Sequence, residues 1–154
     1  MTARPDPAEF EGQRVLVTAG TKGAGRATVD RFLAGGARVI TAAREPSPTS
    51  NAAEFVKADL LTLDGCETLA EAAMTRLGGI DIMAHVVGGS SSPAGGFAAL
   101  SDDHWRTELN LNLMPAVRLD RLLAPQMIAR GHGAIVHVAS IQRALPLPES
   151  TIAY

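Results

Sequence analysis

The stretch Arg14-Val-Leu-Val-Thr18 runs straight into Ala19-Gly-Thr-Lys-Gly-Ala-Gly25, a junction of two kinds of residue pattern. The first five residues, rich in β-branched and apolar side chains, read as a buried strand. The glycines at 20, 23 and 25 read as a tight turn that opens a helix. In such a turn the backbone approaches a pyrophosphate closely, and the helix N-terminus favours its charge. Gly20, Thr21, Lys22, Gly23, Ala24 and Gly25 are therefore the first candidate binding residues. Taken alone, the same turn also serves as a plain strand-to-helix connection. A P-loop is excluded, because Arg26-Ala27 follows Gly25 where lysine and a hydroxyl residue are required. The spacing is also GxxGxG, not the usual dinucleotide GxGxxG.

Working outward, four more short apolar runs follow: Arg38–Ala42, Phe55–Ala58, Ile80–Val87 and Ala134–Ala139. Nearly apolar on both faces, they read as strands buried in a parallel sheet. Between them lie helical patterns. One runs from Gly23 to the Gly35-Gly36 stop. A second begins near Asp64, which pairs with Glu67 as a capping box, buries Cys66, Leu69, Ala73 and Leu77, and stops at Gly78-Gly79. The longest spans Ser101-Asp102-Asp103 to Gly131, with Trp105, Leu109, Asn112 and Ala116 on the face expected to meet the sheet. Pro115 removes the amide that would bond the carbonyl of Leu111, so a kink is expected beside Asn112. Residues 45–54, broken by Pro46 and Pro48, read as a loop. Strand–helix alternation with parallel strands means a doubly wound α/β sheet. Residues 1–12 read as a flexible leader and 13–154 as one nucleotide-binding domain.

The turn resembles the TGxxxGxG turn of the short-chain dehydrogenase/reductase family, and the resemblance covers residues 13–154. Asp59-Leu60 follows the third strand, where the family's aspartate meets the adenine. Asn112 comes seven residues after Trp105, at the family's structural and catalytic asparagine. Ser140 closes the fifth strand as the catalytic serine does. Tyr154, fourteen residues on, matches the tyrosine that opens the YxxxK motif. The resemblance implies a Rossmann-like fold, a nicotinamide cofactor bordered also by Val87 and Gly88, and interconversion of an alcohol with a ketone or aldehyde. A phenol of pKa about 10 is a poor acid at neutral pH. In the family, nearby positive charge favours its phenolate. The chain departs from the family in several places, among them a shorter loop before the third strand. Ala19 replaces the motif's first glycine. His85-Val-Val-Gly88 stands where Asn-Asn-Ala-Gly is usual, so the hydrogen bonds of those asparagines must be replaced. The family's lysine four residues after the tyrosine is not in this chain.

Cofactor choice rests on Ala43-Arg44, at the end of the second strand. A carboxylate at position 43 would hold the ribose of NAD, whereas an arginine beside it can grip a 2′-phosphate. Lys22 points to the same place in members of the family preferring NADPH. The expected cofactor is NADP, with NADPH preferred over NADH; the alternative is two solvated surface cations.

The chain has 154 residues, 46% of them hydrophobic, with a net charge of −2, which excludes disorder and gives no reason to expect nucleic acid or an anionic membrane as partner. One cysteine excludes an internal disulfide framework. No apolar run is long enough to span a bilayer, and a cytoplasmic protein is expected. No metal is expected: His85, His104, His132 and His137 lack ligand spacing, and His85 and His137 read as core histidines. The loops Gly88–Gly96 and Gln142–Glu149 are candidate pocket walls for a small carbonyl or alcohol substrate, the first of them mobile. The family usually forms tetramers or dimers through the long helix and the helix opening at its tyrosine, so a homo-oligomer is expected. The fifth strand should be an open edge, and the 154-residue chain alone should be inactive. A non-catalytic dinucleotide-binding module is the alternative.

Overall fold

The computed structural model describes residues 6–46 and 52–145. Tyr154, Pro146, Pro148 and much of the 45–54 loop lie outside the described residues. Five parallel strands, β1 (Arg14–Thr18), β2 (Arg38–Ala43), β3 (Glu54–Lys57), β4 (Ile82–His85) and β5 (Ala134–His137), form one sheet in the order β3-β2-β1-β4-β5. The order reverses at β1, and ligands of such sheets bind beyond the strands' carboxyl ends at that switch point. Successive side chains on a strand point to opposite faces, and the core divides accordingly. Val15 and Val17 pack with Val29 of α1 (Gly23–Ala34) on one face. Leu16 joins Cys66 and Leu69 of α2 (Leu63–Ala72) and Leu119 and Leu123 of α4 (Met114–Arg130) on the other. Within the leader, Phe10 packs against Phe32 of α1 with the rings tilted and their centroids 4.8 Å apart.

Several expected boundaries move, each for a physical reason. The strand expected over Ile80–Val87 narrows to β4, because Asp81 N–H bonds the carbonyl of Arg14 while the Val86 and Val87 amides turn to the Thr18 hydroxyl. Thr62, not Asp64, caps α2: its hydroxyl accepts from Gly65 N–H. The last turn of that helical stretch widens into a π turn over Ala73–Leu77. The expected long helix is two, α3 (Asp102–Asn112) and α4, broken at Leu113. Pro115 sits in the first turn of α4, where its missing N–H costs nothing. The inward stripe also shifts, since Leu109 is exposed and Glu108 is fully buried in its place. Every residue of β5 is exposed, contrary to the buried strand expected, because among the described residues only β4 flanks it.

Candidate functional site

The glycine turn closes over the carboxyl end of β1. A Cβ on Gly25 would meet the Ala19 carbonyl oxygen at 2.2 Å, and one on Gly20 would strike Thr41 Oγ1 at 2.3 Å. Gly23, at φ +53°, has open space around it and is needed for its backbone angle. Ala19 holds φ +55° where the motif has glycine. Lys22 is the N-cap of α1 and makes no side-chain cap, so the first-turn amides face the mouth of the turn.

Two threonines that sequence reasoning missed brace this turn. Thr41 Oγ1 donates to the Val17 carbonyl (2.6 Å) and accepts from Gly20 N–H (3.0 Å). Thr18 Oγ1 accepts from Val86 and Val87 N–H at 2.8 and 3.0 Å, tying β1 to the exit of β4. The signal was available: a hydroxyl at the end of an otherwise apolar buried strand needs a partner.

Beside the turn lies a cleft of about 200 Å³ lined by Thr21, Lys22, Ala43, Arg44, Asp59, Leu60, Val87 and Gly88, among others. Of the residues singled out for the cofactor it brings together Thr21, Lys22, Arg44, Asp59, Leu60, Val87 and Gly88, whereas Gly20, Gly23, Ala24 and Gly25 do not line it; Lys22 and Arg44 are both exposed. Its far wall is stiff. Asp59 Oδ1 accepts from Leu61 N–H. The Leu61 carbonyl accepts from Asn110 Nδ2 and Arg118 Nη1, which bridge the break between α3 and α4. These features fit a dinucleotide: close-approach glycines, uncapped helix amides and cationic residues at one end.

A second cleft, of about 770 Å³, shares Val87 and Gly88 and is lined further by Ala24, Asn112, Asp120, His137 and Ser140. Ser140 Oγ caps the following turn by accepting from Gln142 N–H at 3.2 Å, which leaves its proton to donate into the cleft. Asn112 is wholly engaged: Oδ1 accepts from Gly89 N–H at 2.9 Å, and Nδ2 donates to Gly89 O, Glu108 O and Glu108 Oε2.

His85, which stands where the family has an asparagine, has a partner of its own, shared with His137 of β5. His85 is buried and places Nε2 2.8 Å from Asp120 Oδ1 of α4, while His137 Nε2 lies 3.6 Å from Oδ2. Burial pushes the His85 pKa down against the pull of Asp120, favouring the neutral ring. His137 is half exposed, not the core histidine expected. The two rings stack at 4.8 Å and 14°. The planes of parallel rings do not converge on one point, so a shared cation would require one ring to turn. Cys66 is buried, and burial raises its thiol pKa.

A glycine turn and a cleft at the switch point of a doubly wound parallel sheet define a Rossmann-like fold. The short chain dehydrogenase family model matches residues 13–154, and the chain belongs to that family. It is 32% identical over 149 residues to an uncharacterized oxidoreductase, YvrD, of Bacillus subtilis, covering 91% of this chain and 56% of that one. It is 31% identical to a probable galactose dehydrogenase of Rhizobium meliloti, covering 92% and 59%. The L-sorbose reductase of Gluconobacter frateurii, solved with NADPH and L-sorbose, is 28% identical with a TM-score of 0.83, over 96% of this chain and 59% of that one. The chain thus spans little more than half the length of these relatives. Among the described residues no helix is long and apolar enough to cross a membrane.

Proposed function

We propose that the protein is an NADP-dependent oxidoreductase that interconverts an alcohol with a ketone or aldehyde. The observation that carries this reading is the pairing of Lys22 and Arg44 on one cleft whose β2 end, Ala43, has no carboxylate. Arg44 and Lys22 bind a 2′-phosphate, Gly20 to Gly25 receive the pyrophosphate at the α1 N-terminus, and Asp59 and Leu60 border the adenine. When bound, the nicotinamide supplies or accepts the hydride. Val87 and Gly88 separate the cofactor cleft from the second cleft. There Ser140 donates a hydrogen bond to the substrate oxygen. Tyr154, which lies outside the described residues, is assigned from the family relationship as the group that delivers or removes the one proton that changes hands. Asn112 positions the loop at Gly89. The family relationship and the exposed Leu122 and Ile128 on α4 support a homo-oligomer.

The test is turnover of the intact gene product with NADPH and a panel of carbonyls. Tyr154→Phe should lower kcat by about 10²-fold or more, leaving NADPH affinity unchanged. Ser140→Ala should also lower kcat strongly. A Tyr154→Phe variant with near wild-type turnover would overturn the assignment.

A further inference from the structure

Glu108 is a carboxylate where an apolar residue would be expected, on the inward face of α3 and fully buried. Burying a charge is costly unless it is densely hydrogen-bonded, and here the donors are neutral. Oε1 accepts from Ser90 and Ser92 hydroxyls, each at 2.7 Å, and from Ser91 and Ser92 N–H at 3.1 and 3.2 Å. Oε2 accepts from Asn112 Nδ2 at 3.0 Å. Asn112 in turn holds both polar groups of the Gly89 backbone. A Cβ on Gly88 would lie 3.0 Å from Asn112 Oδ1, so the amide is packed against the point where the two clefts meet. Burial alone would raise the pKa of Glu108, but the serine hydroxyls and amides outweigh it and hold the carboxyl below its ordinary range.

We propose that Glu108 is a positioning residue whose carboxylate locks Gly89–Ser92 and the Asn112 amide into one rigid wall, fixing Gly88 at the junction of the cofactor and substrate clefts. The first half of the Gly88–Gly96 loop is therefore anchored, not mobile. The role of this wall rests on the cofactor reading above; its rigidity does not.

Amide hydrogen exchange on the chain tests the proposal. In Glu108→Gln, the side-chain amide turns an NH2 group toward either the serine donors or Asn112, so one set of bonds must break. Exchange at Gly89, Ser91 and Ser92 should accelerate roughly tenfold or more, as expected for hydrogen bonds to a charged group. Exchange at Val15–Val17 and Met83–Ala84 should stay unchanged. A Ser90→Ala, Ser92→Ala double variant, which leaves the carboxylate in place, should produce the same pattern more weakly. Unaltered loop exchange, or acceleration spread equally into β1 and β4, would overturn the proposal. A parallel NADPH titration should show affinity weakened several-fold in Glu108→Gln. Absence of NADPH binding in wild type, with loop exchange behaving as expected, would count against the cofactor reading alone.

Discussion

Ala19 adopts φ +55°, a left-handed angle that costs an L-residue about 1–2 kcal/mol. Its amide still bonds the Ala42 carbonyl, so the turn is held despite the strain. Ala19→Gly should raise stability by about 0.5–1 kcal/mol after the extra unfolded-state entropy of glycine is counted. Urea unfolding would read this as a higher midpoint with an unchanged slope. At the opposite edge of the sheet, Asp81 accepts from Arg14 N–H and Nε, pairs with Arg14 Nη2 at 2.6 Å and with Arg130 Nη2 at 3.0 Å. Chiefly through the Arg14 side-chain bonds, these partners hold its pKa at about 2. A carboxylate lowered on folding stabilises above its unfolded pKa, and that contribution disappears as pH falls through the folded value. Stability of about 2 kcal/mol should therefore be lost between pH ~4 and ~2. Asp81→Asn should be less stable at neutral pH and show a flatter decline over that window in urea titrations; an equally steep decline would refute the assignment.

Among the elements, Pro115 marked the place of the irregularity between α3 and α4 but not its extent, since one kinked helix was expected where there are two. What faces inward from α3 was not. Helical spacing favoured Leu109, but Glu108 is buried by donors from a serine loop 16 to 18 residues away, which no periodicity reports. The strands of the sheet were legible from their apolar runs, and their ends were not, since the Thr18 hydroxyl takes the amides that would have continued β4. The glycine turn was readable residue by residue because close backbone approach permits no other side chain at Gly20 and Gly25. Ile135 and Val136 of β5 and the following Val138 are exposed on a strand that, among the described residues, is flanked only by β4, an arrangement that invites pairing with another chain. The 154-residue chain should self-associate, and Val136→Lys should raise its monomer fraction in sedimentation velocity. A wild-type chain that stays monomeric at high concentration would contradict this.

For the whole molecule, the switch point at β1 gathers a braced glycine turn, a cationic rim and a serine-bearing cleft on one edge of the sheet. The Asp81 network ties the other edge. The Asp81 network and the proposed cofactor site thus lie at opposite ends of the same strands. The claim on which the functional account turns is that Arg44 and Lys22 select a 2′-phosphate. Calorimetric titration of the purified protein with NADPH and NADH, in wild type and Arg44→Ala, measures this directly. NADPH should bind about tenfold or more tightly than NADH, with the advantage shrinking at high salt and mostly gone in Arg44→Ala. Equal affinities for the two cofactors in wild type would contradict it.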